Sequence, residues 1–466
     1  MLKSIIGNFG VIVNPLYLYC SQGGLLMELS NKENIAFKRL AALFDDGSFT
    51  ELDAYAKSDD GEVEVVTGFG YVNGAECYAF AQNPQVNSGA VTVAHCAKIA
   101  KIYSLATKTG CPVIGIYDSN GVKLTEGFEV LNAYGEILKA STKVSGVIPQ
   151  ISIIAGSCLG TSALMANMAD VVIAIKDSDF YVSAPSDITA EQSANDGTVD
   201  ILADSFDDAV KEAAKLAVLL PSNNLEGTPF VSFDYSAPSV APVKGCSAED
   251  VVSSIIDSDI KLELKKEYAP NASTVLSTVE GKTVGVVAFS GEKLCAKCAY
   301  KAEAFVKLCD AFNIPVITIA DSNGIEKGIE SQALVAVTKL NSAYAGATCP
   351  KISLVTSNAV GAAYIVLAGK GANADFTLAW DSAVASPLEV DAAVAFLYND
   401  RLANGENRSE LENEYKNTIG SVYSAAACGA VDDVFEPEKT REKIVNYLNI
   451  IAGKRETTIP RKHTVK

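Results

Sequence analysis

Apolar positions along this chain change their spacing repeatedly, and each change predicts an element. Val113-Ile-Gly-Ile-Tyr117 and Val316-Ile-Thr-Ile-Ala320 are short, nearly unbroken apolar runs rich in β-branched residues, the pattern of strands covered on both faces. Each runs into the same turn, Asp-Ser-Asn-Gly, at 118–121 and at 321–324. Ahead of each lies a helical spacing. Ile99, Ile102 and Leu105 line one face in the first copy, and Ala302, Phe305, Val306 and Cys309 do so at i, i+3, i+4 and i+7 in the second.

The correspondence continues downstream. Pro149-Gln-Ile-Ser-Ile-Ile-Ala-Gly156 pairs with Pro350-Lys-Ile-Ser-Leu-Val-Thr-Ser357, Gly160 with Gly361, and the strand opening at Ala169-Asp170 with the one opening at Ala374-Asp375. Each half predicts alternating strands and helices joined by glycine turns, a layered α/β domain with crossover connections. Two copies in one chain make a pseudo-symmetric monomer. Between them, Pro221 to Pro229 and a Ser/Pro-rich stretch reaching Pro242 are too turn-dense to continue a helix. The halves are therefore taken as residues 27–235 and 236–466.

Residues 1–26 stand apart. Ile5, Ile6, Val11, Ile12 and Val13 form an apolar run that Asn8, Asn14 and Pro15 interrupt, too broken for a signal core and too short for a membrane span. Gln22-Gly23-Gly24 can be encoded by a purine-rich run resembling a bacterial ribosome-binding site ahead of Met27. The reading is that translation starts at Met27 behind a mis-assigned leader, and a cytoplasmic protein is expected either way.

Composition narrows the chemistry. The 466 residues carry 38 basic and 56 acidic side chains, a formal charge of −18, which argues against nucleic-acid or anionic-membrane binding because both need clustered Lys and Arg. The only two histidines are His95 and His463, so a Ser-His-Asp triad or a His-rich metal site is a poor fit. Eleven cysteines without a framework spacing suggest reduced thiols. The one Cys-x-x-Cys, Cys295 to Cys298, has no second pair of donors and reads as two small residues at a helix start rather than a redox or metal site.

Two glycine turns carry the candidate chemistry. Gly156-Ser-Cys-Leu-Gly160-Thr161-Ser162 follows the strand Ile151–Ile154 and precedes a helical run from Ala163; Val360-Gly361-Ala362-Ala363-Tyr364 does the same in the second half. Small residues let a ligand approach the backbone, and the first helical N–H groups have no acceptor within the helix, so such a turn can hold a developing enolate oxygen. Close helix-to-sheet packing is the competing explanation. Asp118 and Asp321 read as turn formers that bond their own backbone rather than as general bases.

Several segments make a resemblance specific: Leu43-Phe-Asp-Asp-Gly-Ser-Phe-Thr-Glu-Leu52, Val66-Thr-Gly-Phe-Gly70, Ser145-Gly-Val-Ile-Pro-Gln-Ile-Ser152, Leu220-Pro-Ser-Asn-Asn224, Tyr268-Ala-Pro-Asn271, Cys309-Asp-Ala-Phe-Asn-Ile-Pro315, Gly429-Ala-Val-Asp-Asp-Val-Phe-Glu-Pro437 and Pro460-Arg-Lys-His463. The chain resembles the carboxyltransferase subunits of biotin-dependent acyl-CoA carboxylases and decarboxylases, of the propionyl-CoA carboxylase beta and methylmalonyl-CoA decarboxylase alpha type. Those chains are two tandem crotonase-like (ClpP/crotonase) domains.

The resemblance implies site roles. Gly160 and Thr161 match a pair whose amides bind the acyl-CoA thioester oxygen; Gly361, Ala362 and Ala363 match a turn whose amides bind the ureido oxygen of biotin. Gly156, Tyr364 and Ile365 flank them, Ile365 standing where some relatives carry Asp and making that wall apolar. It further implies that the biotin-derived anion is the base, so that histidine is dispensable. No Lys-Met-Lys biotinylation motif occurs, so biotin is expected on a separate carrier protein, with a biotin carboxylase or sodium-pumping decarboxylase subunits as further partners. A homohexamer is also implied, the first half of one protomer facing the second half of its neighbour. Lys98, Lys101 and Lys123 are the candidates for the CoA phosphates.

Departures from the family leave alternatives open. Between Ala184-Pro185 and Leu220 the chain is shorter than its relatives and lacks their Glu-rich Gly-Gly-Ala-His stretch, and Ser119-Asn-Gly-Val122 and Ser322-Asn-Gly-Ile325 replace glycine-richer turns. A silent paralogue kept as a structural subunit, or another crotonase-type acyl-CoA enzyme, are the competing readings.

Overall fold

The computed structural model describes residues 34–58, 61–183, 186–232, 241–328 and 330–457. The leader, Met27, Ala184-Pro185, the boundary at 235/236 and His463 lie outside the described residues.

Helix α1 (Ile35–Leu43) opens the described chain, capped by the Asn34 side chain accepting from Ala36 N. An eight-stranded sheet follows, with β1 (Thr50–Leu52), β2 (Val65–Val72), β3 (Ala75–Gln82), β4 (Val113–Ser119), β5 (Gln150–Leu159), β6 (Val171–Ile175) and β7 (Ile201–Ala203) lying side by side in chain order. β1 to β3 pair antiparallel, and every later neighbour pairs parallel. Parallel neighbours need crossovers, which hold α2 (Val93–Thr109), α3 (Gly127–Val144) and α4 (Thr161–Ala166); α5 (Phe206–Leu219) follows β7.

The second half repeats the plan. After α6 (Ala248–Ile255), the strands β8 (Lys261–Leu264), β9 (Ala272–Val279), β10 (Lys282–Phe289), β11 (Val316–Ser322), β12 (Lys351–Val360), β13 (Phe376–Trp380) and β14 (Asp433–Phe435) again lie in chain order. Helices α7 (Ala296–Ala311), α8 (Glu330–Gly346) and α9 (Gly361–Leu367) occupy the matching crossovers. Between β13 and β14 the second half inserts α10 (Val390–Leu397), a short helical turn, α11 (Arg408–Asn417) and α12 (Val422–Ala427); α13 (Thr440–Ile451) ends the fold.

The unbroken apolar runs are explained by two-sided burial. Ile114, Ile116, Ile151, Ile153, Val171 and Ile173 face one core with Leu40 and Leu216. Their neighbours Val113, Tyr117, Ile154, Val172 and Ala174 face the other, with Ile99 and Ile102 of α2 and Tyr134 and Ile137 of α3. The first core runs without a break into Val275, Val286 and Phe305 of the second half, so the copies share interior rather than only touching. Each fully buried side chain of this kind contributes about 1.5–3 kcal/mol.

Both halves are irregular at the same place. Pairing of β4 with β5 jumps from Tyr117–Ile154 to Ser119–Cys158, and that of β11 with β12 from Ala320–Val355 to Ser322–Ala359. Three residues of the longer strand thus face one Asp, a bulge that bends the strand end away. The freed ends pair instead with Phe180–Tyr181 and with Val384–Ser386. This bend aims each glycine turn.

Candidate active site

The two turns are built alike. Gly160 follows β5 at φ 61° and ψ −128°, and Gly361 follows β12 at φ 56°, in the region that a side chain disfavours. A Cβ on Gly160 would meet nothing within 4 Å, so its glycine is required by conformation and not by crowding; at Gly361 a Cβ would lie 3.2 Å from the Pro387 carbonyl oxygen. Among the described residues no side chain caps α4 or α9. By contrast Thr92, Ser205, Ser247 and Cys295 cap α2, α5, α6 and α7.

At the first turn the Gly160 amide donates to the Tyr181 carbonyl at 3.0 Å, which fixes the bent strand end. The amides that open α4, Thr161 and Ser162, come next, and opening amides have no acceptor within their own helix. Behind them Ser162 Oγ lies 2.7 Å from the Tyr134 hydroxyl and 3.3 Å from Ser119 Oγ, which accepts from Gly121 N. This buried chain bolts α4 to the Asp-Ser-Asn-Gly turn.

The second turn borders a cleft of about 530 Å³. Gly361, Ala362, Tyr364 and Ile365 line it together with Pro387, which adjoins Gly361, and Ile419. Ala363 lies beneath, its side chain in the core. The Tyr364 hydroxyl donates to the Ala430 carbonyl at 3.0 Å, and burial raises its pKa, so it is neutral and engaged. Ile365 is half exposed to the cleft. Pro387 follows Val384–Ser386, which pair with β12 as Phe180–Tyr181 pair with β5, so that part of the wall has a counterpart in the first copy. Ile419 and Cys428 come from the longer segment around α12 and carried no signal in the sequence.

Gly156 has a different task. A Cβ there would lie 2.4 Å from an Asp118 carboxylate oxygen. That carboxylate accepts from Arg39 Nη1 at 2.8 Å, while Arg39 Nη2 donates to the Ala155 carbonyl. Asp321 accepts from Asn358 N at 3.1 Å, and burial raises its pKa. Neither Asp bonds within its own turn, contrary to the sequence expectation. The serines do so instead, through Ser119 Oγ to Gly121 and Ser322 Oγ to Gly324, because the bulge draws the carboxylates toward β5 and β12.

Residues 28–465 match the carboxyl transferase domain family. The chain belongs to that family. Methylmalonyl-CoA decarboxylase subunit alpha of Propionigenium modestum is 32% identical, with 92% of each chain covered. The propionyl-CoA carboxylase beta chain of Saccharopolyspora erythraea is 32% identical over 95% of this chain and 92% of its own. Among solved structures, transcarboxylase 12S, described as a hexamer with methylmalonyl-coenzyme A and methylmalonic acid bound, superposes with a TM-score of 0.87 at 32% identity, over 92% of this chain and 91% of that one. The two sheets are tandem crotonase-like domains.

Against this carboxyltransferase frame the candidate lysines change meaning. Lys98 is buried, its Nζ donates to the Val65 carbonyl at 2.9 Å, and burial lowers its pKa. It is a core residue and cannot reach a solvent-borne phosphate. Lys101 pairs with Asp53 at 2.5 Å, and Lys123 is engaged within the chain as well. His95 is fully buried, with Nε2 3.4 Å from Gln82 Nε2 and Nδ1 without a partner among the described residues. Burial pushes its pKa down to about 3, so it is a neutral part of the core. No helix of the described residues is long and apolar enough to cross a membrane.

Proposed function

We propose that this chain is the carboxyltransferase component of a biotin-dependent acyl-CoA carboxylase or decarboxylase, moving a carboxyl group between biotin and the α-carbon of an acyl-CoA. The observation that carries the reading is the cleft on the second turn. Its volume of about 530 Å³ is in the range of small-molecule sites, its walls are largely apolar, and an uncapped helix start borders it. These residues fit the ureido ring of biotin, which when bound supplies the carboxyl group and the base. The Ala362 and Ala363 amides then hold the ureido oxygen, while Gly361 sets the turn and Tyr364 and Ile365 shape the wall.

At the first turn the thioester oxygen is assigned to the Thr161 amide. Gly160, whose own N–H is taken by Tyr181, shapes that turn, and Gly156 admits the Asp118–Arg39 pair behind it. As the α-proton leaves, charge grows on the thioester oxygen, and a fixed donor favours that enolate over the ground state. The chain contributes donors and alignment and needs no imidazole.

Assembly and location follow the same reading. A hexamer is assigned by likeness to transcarboxylase 12S, and exposed apolar side chains such as Leu124 (85%) just before α3, Phe128 (83%) on α3 and Phe396 (78%) on α10 supply surface for it. The proposed partners are a separate biotin carrier and either a biotin carboxylase or sodium-pumping subunits, in the cytoplasm. The test is decarboxylation of malonyl- or methylmalonyl-CoA with free biotin as acceptor. Turnover dependent on biotin supports the proposal; none with acetyl-, propionyl-, butyryl- or glutaconyl-type thioesters in either direction leaves the structural-subunit reading.

A further inference from the structure

The site above makes no use of Cys295 and Cys298. Cys295 is the N-cap of α7: its Sγ accepts from Cys298 N at 3.1 Å, and the two Sγ atoms lie 2.6 Å apart. Cys298 is buried and Cys295 half-buried. The first half shows what the frame itself asks of these places. There Thr92 caps α2, its Oγ1 accepting from His95 N at 3.1 Å. One turn further, Lys98 and Lys301 are both buried and donate to the carbonyls of Val65 and Tyr268. A hydroxyl serves this frame as cap, and sulfur is the weaker acceptor, so capping does not account for the two thiols.

Contact, unequal exposure and charge converge on the pair. The start of the 16-residue α7 favours an anion. Contact with the Cys298 sulfur, with the hydrogen bond from the Cys298 N–H, lowers the Cys295 pKa to about 6 against the opposing effects of burial and of Glu326. The same contact, with burial, raises Cys298, while Lys301 opposes the rise. Tyr268 packs nearby, beneath Lys297. The half-buried Cys295 at the helix start is thus the sulfur open to attack on an oxidant, with the buried Cys298 in contact behind it.

We propose that Cys295 and Cys298 form a reversible dithiol–disulfide site that exchanges with small-molecule disulfides. The Cys295 thiolate attacks one sulfur of the oxidant, whose S–S bond breaks to release one thiolate and leave a mixed disulfide. The Cys298 sulfur then attacks Cys295 Sγ and displaces the second thiolate. The Cys298 proton goes to one released thiolate and the other takes up from solvent the proton that Cys295 lost on ionising, so the protein loses two electrons and the oxidant gains them. The product closes the 2.6 Å gap and withdraws the Sγ that caps α7. Two residues before Cys295, Lys293 pairs with Glu389 at 2.6 Å, and Glu389 stands two residues after Pro387 in the chain.

The experiment equilibrates the full chain, native and free of oxygen, with reduced and oxidised glutathione in varied ratio, quenches with acid, alkylates and maps peptides by mass spectrometry. Cys428, an exposed thiol, is the internal reference. The expected result is that alkylation of Cys295 and Cys298 disappears together, leaving an intramolecular disulfide, at ratios where Cys428 is still free, and returns with dithiothreitol. Cys298→Ser should instead trap glutathione on Cys295. The proposal is overturned if both thiols of the wild-type protein stay alkylatable where Cys428 is already glutathionylated, or if the disulfide forms only after denaturation.

Discussion

The first and second glycine turns stand at equivalent points of one repeated frame, yet they are supported differently. The first is braced from behind, by Tyr134, Ser162 and Ser119 in a buried hydrogen-bonded chain. In the second, Ala363 stands where Ser162 would be, and the turn is walled from the front by a segment between β13 and β14 that includes α10 to α12. Duplication supplied the geometry of both turns, and the longer segment between β13 and β14 supplied part of the pocket wall. Under the proposed function the braced turn holds the small thioester oxygen and the walled turn encloses a ring.

The strongest way to break this comparison is to remove one amide from each turn. Ala362→Pro deletes an N–H near the helix start, where proline is tolerated. Biotin-dependent decarboxylation should fall about 100- to 1,000-fold, while thermal stabilisation by propionyl-CoA is kept. Thr161→Pro should lose that stabilisation. Equal loss of both readouts in both variants would merge the two turns into one site. Next in size is Gly156→Ala, whose methyl would lie 2.4 Å from the Asp118 carboxylate. Overpacking here should cost about 1–3 kcal/mol in chemical denaturation, and adding Asp118→Ala should recover part of it. The matching position in the second half is Ser357, so the requirement is peculiar to the first.

Sequence alone carried the frame far and the surroundings hardly at all. Strand period, the paired Asp-Ser-Asn-Gly turns and the matched Gly160 and Gly361 were legible because each is local, set by spacing and by what a left-handed turn demands. The partners of Asp118, Arg39 and the Ala155–Ser157 bulge, were not, since they depend on which strands become neighbours. Lys98 shows the same limit: helical spacing put it on α2 but could not reveal that its amine turns inward to Val65. Part of the cleft wall, Ile419 and Cys428 among it, came from the longer segment around α12, where the repeat could not guide the reading.

The start of α2 against that of α7 gives a pH test. His95 occupies the place of Cys298, and its pKa of about 3 lies below its value in the unfolded chain, so unfolding takes up a proton at mildly acid pH. Stability from this group is complete above the unfolded pKa, near 6.5, and declines as pH falls below it. Between pH 7.5 and 5.5 it should account for about 1.4 kcal/mol of lost stability. Urea titrations of wild type and His95→Gln at both pH values isolate it, because other groups cancel in the difference. Parallel slopes would show that His95 takes up its proton in the fold as readily as in the unfolded chain.

The smallest expected effect separates bracing from packing. Tyr134→Phe removes the hydroxyl that meets Ser162, and Tyr344→Phe removes the one that lies 2.8 Å from Thr318 Oγ1 in the second half. Both hydroxyls are buried on helices packed over a sheet, so each loss should cost about 1 kcal/mol of stability. Only the first stands behind a turn assigned to a substrate. Tyr134→Phe should therefore lower kcat/KM for the acyl-CoA by a few-fold, since a donor held less firmly is less well aligned with the growing oxyanion, whereas Tyr344→Phe leaves both kinetic constants at wild-type values. If the two variants match in kinetics as well as in stability, the chain behind Ser162 is core structure, and the difference between the turns lies wholly in the cleft wall.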